Sequence, residues 1–357
     1  MMPQTGYQAS TGGAGFAFHL PPELNATVPP ERRGIRRDRV RLMVLGRDTG
    51  RTIHTRFHQL PQFLNAGDLL VLNSSRTVPA VLKAVVHRRS SDTTVDSATE
   101  VRLARKLDDR TWDAVIADGS AVPGDRLLIT DALTAAIEQC DTHPFVRLKF
   151  SLSGAALYNE IYAAGEPIRY EYITTPWPLD YYQTVFASEP GSVEMPSAGR
   201  AITWELLFKL RNMGVTVSYV QLHTGLSYLL DDGIPHSPKD HAEMYVIPEE
   251  TAQAIRRTKE QGGKVVAVGT TVVRTLETAA NEDGAVSPGE GWTNLYITNN
   301  HKLRTVDGLI TGFHEPEASH LEMLSAFVPE DRLRSAYHEA VRQGYLWHEF
   351  GDMNLIL

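Results

Sequence analysis

Short apolar runs broken by turn-forming residues dominate the first half of the chain. VRLMVLGR (40–47) and TIHTRFHQL (52–60) read as strands around a turn at residues 48–50. GDLLVLNSSR (67–76) reads as a short buried strand emptying into a polar turn, a place where α/β proteins tend to display functional groups. Between residues 78 and 170 five β-branched segments follow at regular spacing: 80–87, 100–107, 111–118, 125–130 and 145–150. With so little helix among them, they predict a small antiparallel barrel or sandwich. The polar stretch 88–99 reads as a long loop between two of these strands.

After Tyr181 strands and helices alternate. TWELLFKLRNMG (203–214) has helical spacing, with Thr203 as N-cap and Gly214 just past the end. VSYVQLHTG (217–225) is strand-like, and PEETAQAIRRTKEQGG (248–263) is a helix with Pro248 at its first position. KVVAVGTTVVRTLETAA (264–280) reads as strand, turn and helix, and the segments 309–311 and 331–344 continue the pattern. The fold class expected is an α/β main domain with an inserted antiparallel β-barrel domain. Residues 16–77 and 176–357 form the α/β part and 78–175 the insert. Residues 1–15, Gly- and Ser-rich and without periodicity, form a disordered extension.

Composition narrows the class. The 357 residues carry 35 Lys+Arg against 43 Asp+Glu, a net charge of −8. At roughly 150 residues per domain, that length suggests two domains or one with a large insertion. Cys140 is the single cysteine, which rules out an intramolecular disulfide and a cysteine-rich zinc site. No apolar run approaches the roughly 20 residues that span a bilayer, and the first residues lack a basic region leading into an apolar one. A cytoplasmic protein without membrane contact is expected. The acidic balance weighs against a simple nucleic-acid binder, yet ERRGIRRDRVR (31–41) holds six arginines. That stripe reads either as a phosphate-binding surface or as the solvated face of an edge strand.

Five motifs carry candidate chemistry. In 264–280 a continuous apolar strand runs into Gly269, Thr270 and Thr271, with Arg274 one turn into the helix. Free amides, two hydroxyls and a guanidinium make a cradle for a carboxylate or phosphate. His223 ends one strand in LHTG, His241 and Glu243 lie two residues apart in HAEMY, and His314 follows a strand in GFHEP. Histidine exchanges protons near neutral pH, so three at strand ends point to one cleft. Their spacing lacks a metal-binding core such as H-x-x-x-H, so no metal is expected. In FGDMN, Asp352 follows Gly351 and presents a carboxylate on a tight turn. P-loop, G-x-G-x-x-G and G-x-S-x-G patterns are missing from these positions, which leaves nucleotide hydrolysis, dinucleotide redox chemistry and serine hydrolysis without a basis.

GDLLVLNSSRTVPA, YYQTVFASEPGSVEMPSAG, LHTGL, HAEMY, GGKVVAVGTTVVRTLETAA, VDGLITGFHEP and FGDMNLI occur in this order. In this the chain resembles the S-adenosylmethionine:tRNA ribosyltransferase-isomerases of queuosine biosynthesis, from about Phe16 to Leu357. The resemblance implies an α/β domain with an inserted barrel. It also implies that the ribosyl part of S-adenosylmethionine moves to the aminomethyl group of a 7-deazaguanine in tRNA, releasing adenine and methionine and leaving an epoxycyclopentanediol. Asn73, Arg76, Gln183, Gly225, His241, Gly269, Thr270, Thr271, Arg274 and Phe313 then belong to substrate binding, while His223, His314, Glu243 and Asp352 belong to catalysis. His223 and His314 would form a base/acid pair, with Glu243 or Asp352 orienting an imidazole or meeting the sulfonium. Arg274 with Thr270 and Thr271 would hold the methionine carboxylate. Tyr182, Tyr228 and Phe313 are candidates for stacking on adenine.

The departures are equally specific. Where the family has T-A-G-L-H-F-T, this chain has Ser197-Ala198-Gly199-Arg200-Ala201-Ile202-Thr203. The family's S-Y-G-D-A-M becomes Glu349-Phe350-Gly351-Asp352-Met353-Asn354, and Glu315 and His320 enter after His314. The substitutions leave two alternatives beside tRNA-directed ribosyl transfer. One is a paralogue that uses S-adenosylmethionine with a small-molecule acceptor or with none, and the other is a non-catalytic binding protein.

Overall fold

The computed structural model describes residues 18–357 apart from 90–93, 118, 120, 140–143, 171, 227–241 and 317. The expected extension 1–15, His241 and Tyr228 lie outside the described residues.

In chain order the strands are β1 (Arg41–Leu45), β2 (Thr52–Arg56), β3 (Leu69–Asn73), β4 (Ser75–Thr77), β5 (Val81–Arg89), β6 (Thr94–Lys106), β7 (Thr111–Ile116), β8 (Arg126–Leu128) and β9 (Thr134–Glu138). They continue as β10 (Val146–Phe150), β11 (Glu189–Ser192), β12 (Thr216–Leu222), β13 (Glu243–Ile247), β14 (Val265–Val268), β15 (Gly289–Thr293), β16 (Gly308–Gly312) and β17 (Met353–Ile356). The helices are α1 (Gly154–Ala164), α2 (Trp204–Asn212), α3 (Glu249–Glu260), α4 (Thr270–Ala279), α5 (Ser319–Ser325) and α6 (Glu330–Arg342).

Nine strands form a mixed sheet in the order β15-β13-β12-β3-β14-β16-β17-β1-β2. Its centre, β12-β3-β14-β16, is parallel. These strands are near-continuous apolar runs because both faces are covered. Leu69 and Val71 of β3 pack on one side with Ile255 of α3, Leu276 of α4 and Tyr337 of α6. Leu70 and Leu72 face the other side, against Leu206 and Leu210 of α2. One residue of slip would exchange the two faces, so this alternation fixes the register. The insert is a closed antiparallel barrel, β10-β7-β6-β5-β8-β9, packed around Trp112, Leu127 and Leu148. The α/β domain with an inserted barrel is therefore the observed architecture.

Four local expectations change. The barrel has a sixth strand, β9, whose TAAIE sequence is alanine-rich and carries little β propensity. Arg88 and Thr99 lie within the paired strands β5 and β6, so most of the expected 88–99 loop is hairpin arm. The strand expected over 52–60 stops at Arg56, where a 3-10 turn, Phe57–Gln62, buries Phe57 and Leu60 three residues apart. The arginine-rich stretch is two 3-10 turns, Pro30–Arg33 and Arg37–Arg39, with Pro29 and Pro30 opposing a strand there. Its arginines are largely paired within the molecule: Arg37 with Glu31 at 2.9 Å, Arg36 with Glu205 at 2.7 Å, and Arg33 donating to the Phe350 carbonyl at 2.7 Å.

Candidate active site

The parallel strands β12, β3, β14 and β16 end at one edge of the sheet, where His223, Asn73, Gly269 and Phe313 follow or close them. Ligands of open α/β sheets collect at such carboxyl ends. A cavity of about 930 Å³ opens there and reaches the barrel wall at Ala104, Arg105, Asp113 and Phe145. It is large enough for a nucleoside with an amino-acid tail.

Gly269, Thr270 and Thr271 line the cavity at the N-terminus of α4. Gly269 has φ +97°, and a Cβ there would meet that of Ala198 at 3.4 Å, so the turn from strand to helix depends on glycine. Helix N-termini attract anions through unpaired amides and the aligned peptide dipoles. Arg274, one turn on, donates through Nη1 to Oε2 of Glu243 and through Nε to the Leu295 carbonyl at 3.1 Å. Glu243 also accepts the Gly225 amide at 2.9 Å. Both side chains are largely buried, so the pair acts as a strut that fixes the guanidinium against the cavity. Glu277 is turned away and accepts the amides of Arg304, Thr305 and Val306.

His314 lines the cavity from the loop after β16, its Nε2 2.7 Å from the Thr311 hydroxyl. Its ring stacks on that of His320 with centroids 4.5 Å apart and planes 5° from parallel. Burial pushes the His314 pKa well below the usual histidine range, and His320 and His348 lower it further. His320 is exposed, and the charge of Arg274 opposes its protonation. At neutral pH the His314 imidazole is uncharged. Phe313 reaches the cavity from the core side, its ring packed on Tyr345 and Trp347.

Eight expected site residues thus meet on one cavity: Gly225, Glu243, Gly269, Thr270, Thr271, Arg274, Phe313 and His314. Five others sit behind it or away from it. His223 is buried with Nδ1 2.7 Å from the Ser75 hydroxyl, which in turn meets Ser192 at 2.7 Å. A Cβ at Gly191 would lie 2.5 Å from that imidazole nitrogen. Burial and the charge of Lys106 lower the His223 pKa to about 4. Asn73 ties strand ends together, bonding both backbone groups of Leu222 and reaching the Thr271 hydroxyl at 3.3 Å. Gln183 grips both backbone groups of Thr77, and Arg76 is exposed over the Tyr162 ring. Asp352 accepts the amides of Arg41 at 2.7 Å and Leu346 at 2.8 Å, joining β1 to the turn before β17. Both carboxylate oxygens of Asp352 are thus held by backbone amides. Tyr182 likewise packs on Phe350 in the interior.

Other residues complete the wall. Tyr170, Tyr172, Glu194, His348 and Glu349 line the same cavity. His348 alone among the described non-glycine residues has positive φ, at 71°. Its ring stacks on Tyr172 at 4.1 Å, and its nitrogens contact Asn25 Oδ1 at 2.8 Å and Glu315 Oε1 at 3.3 Å. Burial lowers its pKa to about 4, so the ring is neutral at pH 7 and its contact with Glu315 is no ion pair. Burial raises Glu349 to about 7. A His–Glu pair just ahead of the Gly351–Asp352 turn was the available signal for these two. The tyrosines sit in YEY, which has no distinguishing pattern.

Comparisons with known proteins cover nearly the whole chain. The profile of a family described as queuosine biosynthesis protein matches residues 14–356. An S-adenosylmethionine:tRNA ribosyltransferase-isomerase of Thermus thermophilus is 39% identical over 97% of this chain and 99% of its own length. One from Symbiobacterium thermophilum is 38% identical over 96% and 98%. The crystal structure of an S-adenosylmethionine tRNA ribosyltransferase from Thermotoga maritima is similar at a TM-score of 0.54, with 33% identity, covering 96% of this chain and 99% of that one.

Proposed function

Because the chain belongs to the S-adenosylmethionine:tRNA ribosyltransferase-isomerase family, we propose that it moves the ribosyl part of S-adenosylmethionine onto the aminomethyl group of a 7-deazaguanine in tRNA, releasing adenine and methionine. One observation carries this reading. The cradle Gly269-Thr270-Thr271, the Arg274–Glu243 strut and His314, from three separate stretches of chain, share one cavity at the carboxyl edge of the sheet. That these relatives are tRNA ribosyltransferase-isomerases favours tRNA over a small-molecule acceptor.

S-adenosylmethionine is the co-substrate in this scheme. Its methionine carboxylate binds at the N-terminus of α4, where the amides and hydroxyls of Thr270 and Thr271 and the charge of Arg274 favour an anion. The sulfonium acidifies the adjoining C5′ protons. His314, uncharged at neutral pH and oriented by the Thr311 hydroxyl, takes one of them. A buried imidazolium with a depressed pKa is a strong proton donor, so the same nitrogen returns the proton to the departing adenine. His320 backs the ring and holds its plane. His223 supports strand ends in this scheme and takes no proton from substrate.

The test is mass spectrometry of S-adenosylmethionine and tRNA after incubation with the protein. Adenine and methionine should appear when tRNA bearing the aminomethyl base is present, and the tRNA should gain the ribosyl-derived mass. Adenine release with the tRNA mass unchanged would overturn the assignment of tRNA as acceptor.

A further inference from the structure

Two residues that line the cavity each carry a buried polar atom with no hydrogen-bond partner among the described residues: Glu349, through Oε2, and Tyr172, through its hydroxyl. Buried polar atoms without partners are rare in folded proteins, because each forfeits its bonds to water on folding. Two such residues lining one cavity point to a ligand that supplies what the chain does not. Their neighbours define its chemistry. Tyr170 stacks on Tyr172 with centroids 5.7 Å apart, and Tyr172 stacks on His348. Burial first, and then the charges of Glu194 and Glu349, disfavour ionisation of the Tyr170 phenol. Glu315, bonded to His348, adds a third carboxyl. Carboxyls and tyrosine faces together favour a cation, through charge-assisted hydrogen bonds and the ring quadrupoles.

A primary ammonium fits this set, because it has three donors and no acceptor. We infer that Glu349 and Tyr172 form the receptor for the primary ammonium of the acceptor base, with Glu194 and the Tyr170 ring completing it. The inference rests on the proposed transfer for the identity of the amine. Geometrically it rests only on the unpartnered atoms and their carboxyl and aromatic surroundings. The receptor makes Glu349 a specificity-determining residue, since a neutral substituent at the same position leaves its carboxylate unpaired. Burial, which raises Glu349 to about 7, lets the site stay uncharged until the amine arrives. S-adenosylmethionine carries a primary ammonium too. The Arg274–Glu243 strut and the α4 N-terminus, where its carboxylate is placed, come from other parts of the chain than Tyr172 and Glu349.

The experiment compares the binding of two tRNAs, one carrying 7-aminomethyl-7-deazaguanine and one carrying the neutral 7-methyl analogue, to the wild-type protein and to Glu349→Gln and Glu349→Ser. The wild type should prefer the amine-bearing tRNA at least tenfold, and both variants should lose that preference while binding S-adenosylmethionine with unchanged affinity. A preference equal in all three proteins overturns the receptor. So does a tenfold loss of S-adenosylmethionine affinity in Glu349→Gln, which would assign the carboxyl to the methionine ammonium. Adenine release by the wild type is measured alongside. Its absence with the preference intact would overturn the proposed transfer and leave the receptor standing.

Discussion

His314 lies flat on His320, the two imidazoles 4.5 Å apart, and burial keeps His314 uncharged. Protonating His314 places a charge among groups that disfavour it, so its imidazolium is short-lived. An unfolded histidine titrates near 6.5, whereas the buried His223 titrates at about 4 in the folded chain. A depressed folded pKa contributes stability that is complete above the unfolded value and is lost as pH falls through the folded one. The thermal midpoint should therefore fall between pH 6.5 and 4. Each buried histidine contributes a slope of up to about 1.4 kcal/mol per pH unit. His223→Gln should flatten that slope, and a pH series of thermal melts checks it.

The Arg274–Glu243 strut changes what a substitution at Arg274 tests. Removing the arginine strands a largely buried carboxylate and should cost roughly 3 kcal/mol of stability. Arg274→Ala is then expected to lose affinity for S-adenosylmethionine and to melt early. Replacing both partners, Arg274→Met with Glu243→Gln, should restore most of the stability and none of the affinity. Calorimetry together with denaturant titration separates the two effects.

Asp352 is expected to matter for folding alone. Asp352→Ala frees the amides of Arg41 and Leu346, at a cost of about 2 kcal/mol. Its affinity for S-adenosylmethionine at 20 °C should stay within twofold of wild type. A tenfold loss in a variant shown to be folded by circular dichroism would return Asp352 to the site.

Glu349 gives the opposite pH signature to the histidines. Its folded pKa, about 7, lies above the unfolded carboxyl value of 4.5. A raised carboxyl pKa contributes stability that is complete below 4.5 and is lost as pH climbs through 7. Glu349→Gln should therefore stabilise the protein at pH 8, by on the order of 2 kcal/mol, and change little at pH 5. Denaturant unfolding at the two pH values reads this directly.

The sequence is most informative where a local pattern meets a global constraint. Gly269-Thr270-Thr271 could be placed because an apolar strand, a glycine and a helix leave one geometry, and its φ of +97° is the one glycine tolerates best. Thr203 could be named as a cap because its hydroxyl accepts the Leu206 amide, as capping requires. His223 and Asp352 could not be assigned this way. Proton-exchanging side chains at turns look alike in sequence whether they face a cavity or, like Asp352, hold two backbone amides. Strand β9 was hidden because its pairing with β8 and β10, more than its own composition, makes it a strand. Tyr172 and Glu349 reach the cavity by tertiary packing between residues far apart in the chain, which no local spacing records.

The central claim is that S-adenosylmethionine occupies the cavity between the start of α4 and the stacked histidines. A crystal structure of the complex with that compound tests it most directly. The methionine carboxylate should lie within hydrogen-bond reach of the Thr270 and Thr271 amides, with C5′ facing His314. Density for the ligand outside this cavity, or with its carboxylate turned away from α4, would contradict the account.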